Sequence, residues 1–139
     1  MDKIIFESHK ILKSEKKSLA VVEPILFDMK EQLNIQDEKF YNIMIAVTEA
    51  VNNAINHGNK LNPEKVVCFD VEADSESIKI VVKDQGEGFN PKEVADCLEP
   101  ENLLKSSGRG VFIINELMDF ATFESNSEGT TVSMSYNWA

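Results

Sequence analysis

Apolar residues that recur every three or four positions predict two amphipathic helices in the first half of the chain. The first covers residues 15–33 and contains Pro24, which predicts a kink or a restart because proline lacks the backbone donor. The second covers residues 38–57, with Asp37 as its expected N-cap and Gly58 as its stop. The apolar stripe of the second helix, which should face a core, comprises Phe40, Ile43, Val47, Val51, Ala54 and Ile55.

Short runs of alternating or β-branched apolar residues predict five strands. The first covers residues 2–8, and residues 66–71 and 78–82 form an expected antiparallel hairpin. Two more, 121–125 and 130–138, close the chain after a third helix, whose apolar side is Val111, Ile114, Leu117 and Met118. This order predicts an α+β fold: a two-layer α/β sandwich with the helices on one face of a mixed, mostly antiparallel sheet.

Length and charge limit the class of protein. The 139 residues suit one domain, and the formal charge of −10 without a dense Lys/Arg patch argues against nucleic acid or an anionic membrane as partner. Without a targeting segment or a long apolar run, a cytoplasmic protein is expected. Cys68 and Cys97 lack metal-ligand spacing, so both are expected to be free thiols.

Candidate chemistry begins on the second helix. Glu49 and Asn53 are four residues apart, so they stack on one side of it. The polar residues that flank them or continue at the helix end are Asn52, Asn56, His57 and Asn59. Such groups are costly to bury without partners. Taken alone, the pair is most simply a solvated polar face, and His57 a structural residue at the helix end.

Two glycine-bearing segments change that interpretation. Asp84-Gln-Gly-Glu-Gly-Phe89 follows a strand, and a carboxylate before close-packing glycines can accept a hydrogen bond from an exocyclic amine such as adenine N6. Ser107-Gly-Arg-Gly110 precedes a helix, and amides in such a loop suit phosphate oxygens. Taken alone, each segment is most simply an ordinary turn. Neither matches the Rossmann or P-loop pattern.

Taken in order, E-A-V-x-N-A-x-x-H-G-N, D-x-G-x-G-F, a G-x-G that opens a helix and G-T-T-V resemble the GHKL ATP-binding fold (Bergerat fold). Within it, the resemblance is to the bacterial anti-sigma-factor serine protein kinases. It covers nearly the whole chain, so a single kinase domain is expected over residues 1–139. The resemblance implies ATP and Mg²⁺ as cofactors.

The same resemblance implies a role for each matching residue. Asn53 would be the Mg²⁺ ligand, since a carboxamide oxygen is a hard donor, and Glu49 would be the general base for an attacking hydroxyl. Asp84 would read the adenine, and residues 99–107 would form a short lid. The other nucleotide-binding residues that it implies are Gly86, Gly88, Phe89, Lys105, Gly108, Arg109, Gly110 and Thr130 (or Thr131).

By this resemblance, the protein would be a partner-switching kinase that phosphorylates a serine on a STAS-type antagonist and binds a sigma factor or another regulator. Lys105 and Arg109 would compensate charge at the γ-phosphate, or else be solvated surface cations. The family often dimerises through its first strand and helix, so a homodimer is one expectation. The alternative is a nucleotide-dependent binding module of the same fold that transfers no phosphoryl group.

Overall fold

The computed structural model describes residues 3–86 and 106–139, with the backbone alone for residues 106–109. The elements, in chain order, are β1 (Phe6–Lys13), a 3-10 turn (Lys16–Ser18), α1 (Leu19–Leu33), α2 (Asp37–Asn53) with a π turn (Ala54–Gly58), β2 (Val66–Ala73), β3 (Ser77–Lys83), α3 (Ser106–Leu117), β4 (Phe120–Asn126) and β5 (Gly129–Asn137). The predicted order of elements is confirmed. Some sequence predictions lie outside the described residues: those for Gly88, Phe89, Cys97 and Lys105, and that of a lid, of which residues 99–105 are not described.

The sheet has the strand order β1-β2-β3-β5-β4, and all neighbouring strands in it are antiparallel. The prediction of an α+β sandwich is confirmed, but the described sheet has no parallel pair. The reason is that β5, which runs opposite to β3, inserts between β3 and β4, so the crossover through α3 does not create parallel neighbours.

The core lies between one face of this sheet and the helices. Residues of β2, β3 and β5 alternate between buried and less buried positions, which is the pattern of a sheet covered on one side. All six residues of the predicted α2 stripe are buried, none more than 4% exposed. Truncation of such core side chains to alanine typically costs ~2–5 kcal/mol.

Three boundary predictions for the first half of the chain are wrong: the limits of β1, the restart of α1 at Pro24 and the N-cap of α2. β1 runs to Lys13 and begins at Phe6, because its polar residues pair with β2 along the whole strand, as in His9 with Asp70. α1 does not restart at Pro24: buried Val22 and Leu26 hold the helix to the core on both sides of that residue.

The N-cap of α2 is Gln36, and Asp37 is the first helical residue. At this position the positive end of the helix dipole stabilises the Asp37 carboxylate, which also lies 2.8 Å from the Lys30 ammonium. The stop at Gly58 is confirmed, since the π turn ends there.

Candidate functional site

The C-terminal end of α2 carries the first two candidate residues. Glu49 and Asn53 are one turn apart and both half-buried. Beyond Asn53 the helix widens into the π turn, in which the backbone N–H of Asn59 donates to the Ala54 carbonyl at 2.8 Å. Single π turns in helices are frequent at functional sites. His57 lies in this turn and is exposed, which agrees with its expected place at the helix end.

Asp84 follows β3 and is 5% exposed. Its Oδ1 accepts the backbone N–H of Gly86 at 2.9 Å and that of Thr130 at 3.0 Å. Its own N–H donates to the Thr130 carbonyl at 3.0 Å, so the carboxyl group is fixed between the end of β3 and the start of β5. Burial raises the pKa of Asp84, and the two N–H donors oppose that shift without cancelling it.

Glycines allow the α2 end and the segment after β3 to close on each other around Asp84. A Cβ atom at Gly58 would overlap the Asp84 carboxylate, and one at Gly86 would overlap the Gly58 carbonyl oxygen. Gly129 has φ +145°, and a Cβ there would overlap the Asp84 carbonyl. Three segments remote in sequence therefore meet at this carboxyl group.

α3 approaches α2 at Asn53, which lies before the π turn that contains Gly58. Gly110 is buried, and a Cβ there would overlap the side-chain amide of Asn53. The prediction of a glycine loop ahead of α3 is wrong, because Gly108 and Gly110 lie inside the first turns of the helix. Close packing of α3 against Asn53 gives a physical reason for glycine at position 110.

The strand register distinguishes Thr130 from Thr131. Thr130 is buried on the helix side of the sheet, and its Oγ1 lies 2.9 Å from the Ser125 Oγ. Thr131 pairs with Lys83 and faces the opposite side. Thr130 is thus the residue beside Asp84. Of the remaining predicted residues, the backbone of Arg109 lies in α3.

Asn59 ends the first of the four sequence motifs, but no role in the site was predicted for it. It directly follows Gly58, it is 1% exposed, and its side chain bonds to the segment after β3. An asparagine immediately after a helix-ending glycine was the available signal. Burial and bonding to a remote segment were not readable from it.

One group of carboxylates and histidine in the described ranges is compact enough to share a cation. It consists of Glu7, His9 and Glu72, whose donor atoms lie within 4.8 Å of one another on β1 and β2. A hydrogen bond of 2.7 Å to Asp70 raises the pKa of His9. The group is largely solvent-exposed, on the sheet face away from the helices, and Asn53 remains the candidate Mg²⁺ ligand.

Within residues 3–86 and 106–139, no helix has both the length and the apolar content to cross a membrane.

Comparison with known proteins gives a family match and several relatives. The model of the histidine kinase-like ATPase domain matches residues 12–136. A Staphylococcus epidermidis protein named serine-protein kinase RsbW is 40% identical over 110 residues, which cover 73% of this chain and 64% of that protein. An anti-sigma F factor of Bacillus cytotoxicus is 38% identical over 108 residues, covering 74% of this chain and 73% of that factor. The chain thus spans less than two thirds of the staphylococcal relative.

Solved structures show the same fold at low identity. The RsbU and RsbW domains of a Mycobacterium tuberculosis protein superpose with a TM-score of 0.65 at 18% identity, over 94% of this chain and 32% of that one. The mycobacterial sensor histidine kinase MprB gives a TM-score of 0.57 at 17% identity, over 94% of this chain and 97% of that one.

Proposed function

This chain belongs to the histidine kinase-like ATPase domain family, and we propose that it is an ATP- and Mg²⁺-dependent serine/threonine protein kinase of the partner-switching type. We further propose that residues 1–139 form one kinase domain and that it works in the cytoplasm. The observation that carries the proposal is the closure of Gly58, Gly86 and Thr130 around the buried Asp84 carboxyl group. Gly58 lies five residues after Asn53 on the same helical segment, so the two parts of the site are joined by one element.

Adenine recognition is assigned to Asp84. Its carboxyl group is held by two backbone N–H donors, so it keeps one orientation in which it can accept the N6 amine of the base. Gly86, with Gly88 and Phe89 further along the segment, would line the base, and Thr130 would close the other side. In a site of low water content, a base without that amine leaves a buried acceptor unpaired, which disfavours its binding.

Phosphate binding is assigned to Asn53 and the start of α3. The half-buried Asn53 carboxamide oxygen suits Mg²⁺, which neutralises phosphate charge when it is bound. The backbone N–H of Gly108, in the first turn of α3, would hold a phosphate oxygen, and Gly110 would contribute through its close packing against Asn53. Lys105 and Arg109 would supply local positive charge in a chain whose formal charge is −10.

Glu49 acts as the general base in this proposal. It accepts the hydroxyl proton of the substrate serine, whose oxygen then forms a bond to the γ-phosphorus. The bond between that phosphorus and the bridging oxygen to the β-phosphate breaks, so phosphoserine and ADP are the products. The assignment is supported by the position of Glu49, which lies one turn before Asn53 on the same side of α2.

The relatives indicate the class of partner. Because one of them is named an anti-sigma F factor, we propose a STAS-type antagonist as the phosphorylated protein and a sigma factor or another regulator as the bound one. We further propose a homodimer through β1 and α1. β1 lies at one edge of the sheet, and Ile5, Ile11 and Val21 are exposed beside that edge.

The test is incubation with ATP, Mg²⁺ and a candidate STAS protein, followed by intact-mass measurement. The wild-type protein should add one phosphoryl group to the STAS protein. Glu49→Gln should bind ATP normally and slow the transfer by about 10²–10⁴-fold, because it cannot accept the proton.

Glu38→Gln is the matched control, since Glu38 lies in the first turn of the same helix and is exposed. It should transfer at the wild-type rate. If Glu49→Gln also transfers at that rate, Glu49 is not the base. If the wild-type protein captures the STAS protein in an ATP-dependent manner and never phosphorylates it, the protein is the nucleotide-dependent binding module instead.

A further inference from the structure

Asn59 connects three separate segments through one buried amide group. Its Nδ2 donates to the Ser14 Oγ at 2.9 Å and to the Val66 carbonyl at 3.0 Å. Its Oδ1 accepts the backbone N–H of Gln85 at 2.7 Å. Both amide hydrogens and the oxygen are therefore bonded, which fixes the side chain in one position.

The partners of Asn59 are themselves joined. The Ser14 hydroxyl donates to the Lys65 carbonyl at 2.6 Å, and the side-chain oxygen of Gln85 accepts the Val66 N–H at 2.8 Å. Gln85 is thus held through its backbone by Asn59 and through its side chain by the start of β2. These bonds form a network across the end of the sheet, next to Asp84.

Gln85 lies in the chain between Asp84 and one of the two residues whose N–H groups hold the Asp84 carboxyl group. Asp84 precedes it, and Gly86, whose N–H bonds to the Asp84 Oδ1, follows it. Asn59 also follows Gly58, at which a Cβ atom would overlap the same carboxylate. Asn59 therefore helps to set the position of the Asp84 carboxyl group in two ways: through its covalent link to Gly58 and through its hydrogen bond to Gln85.

We infer that Asn59 is a positioning residue for base selection: through Gln85 it holds the Asp84 carboxyl where it distinguishes an exocyclic amine from a carbonyl. This inference rests on the proposed function, in which Asp84 reads adenine. Asn59 is assigned this positioning role because its side chain bonds to Gln85 and not to Asp84.

The experiment compares Asn59→Ala with Ser14→Ala. Asn59→Ala removes the bond to Gln85, whereas Ser14→Ala removes other bonds of the same network and leaves the Asn59–Gln85 bond in place. Affinities for ATP and for inosine triphosphate are measured by calorimetry, because inosine carries a carbonyl where adenine carries its amine. The ratio of the two affinities is the readout, since loss of folded protein removes sites for both nucleotides equally.

Asn59→Ala should reduce the preference for ATP about tenfold, which corresponds to the loss of roughly one hydrogen bond to a charged group. Ser14→Ala should keep the preference within about twofold of wild type. Both variants should lower the melting temperature. If Asn59→Ala does not fold, Asn59→Ser replaces it, because a serine hydroxyl ends too close to the main chain to reach Gln85.

An unchanged ratio of the ATP and inosine triphosphate affinities in the Asn59 variant overturns the inference. Asn59 would then only stabilise the fold. A wild-type protein that binds neither nucleotide, or that binds both equally, gives a different result. It overturns the adenine-reading role of Asp84, and with it the proposed function on which the inference depends.

Discussion

Asp84 illustrates how a single side chain can be costly for stability and useful for binding. Its carboxyl group is buried after a strand, and two backbone N–H donors together with the charge of Lys65 offset part of the loss of water. A carboxyl group of raised pKa that is fixed by the main chain is a common feature of functional sites. Asp74 has the opposite environment: it is only half-buried, and the N–H donors of Glu76 and Ser77 lower its pKa.

These opposite pKa shifts predict opposite pH dependences. The folded-state pKa of Asp84 lies above the ordinary 3.8, so its contribution to stability is largest below pH 3.8 and falls as the pH rises through the folded value. In urea unfolding at stepped pH, the stability of Asp84→Asn relative to wild type should therefore increase with pH over that window.

Asp74→Asn is the control of opposite sign. The pKa of Asp74 is lowered, so its contribution is present above pH 3.8 and is lost as the pH falls through the folded value. The relative stability of this variant should decrease as the pH rises. Parallel curves for the two variants would contradict the burial argument for Asp84.

At the scale of elements, the packing of α3 against α2 determines where the Asn53 amide lies. Gly110 is inside α3, where glycine is a poor helix former, and a side chain there would meet Asn53. The helix thus loses intrinsic stability at the place where the two helices come closest. Replacement by alanine separates these two effects.

Gly110→Ala should leave the melting temperature unchanged or raise it, because alanine favours the helix by about 1 kcal/mol and the amide it meets is the end of a side chain. It should weaken Mg²⁺-dependent ATP binding about tenfold by displacing Asn53, the size of effect typical for disturbed metal-ligand support. Asn53→Ala should abolish the Mg²⁺ dependence altogether.

The control for that comparison is Asn115→Ala, an exposed position on α3. Its ATP titrations with and without Mg²⁺ should match wild type. Normal Mg²⁺-dependent binding by Gly110→Ala and Asn53→Ala together would remove Asn53 from the metal role.

For the whole molecule, the sheet of described strands ends in β1 on one side and β4 on the other. Unpaired edges invite pairing with another chain. Both edges show a large exposed apolar side chain: Ile11 on β1 is 75% exposed and Phe120 on β4 is 65% exposed. The proposed dimer uses the first edge and leaves the second free.

Ile5→Lys should therefore weaken self-association at least about tenfold in sedimentation equilibrium, because it places a charge beside the β1 edge that would be buried between protomers. Phe120→Lys should not change it. A monomeric wild-type protein, or a greater loss from the Phe120 variant, would contradict the proposed interface.

The periodicity of apolar residues alone predicted the order of elements, the buried stripe of α2 and the hairpin from β2 to β3, and the family resemblance from four short motifs is confirmed. Such patterns report which side of an element is buried, because burial repeats with the helix or strand period. They carry no information on which remote segments meet.

Contacts between distant segments were decided by the tertiary structure. Strand register placed Thr130 rather than Thr131 beside Asp84, and helix packing put Gly110 inside α3 against Asn53. The burial of Asn59 also emerged only there, since its three hydrogen bonds join residues up to 45 positions apart. These features depend on how the chain closes in three dimensions, and a local pattern does not encode that closure.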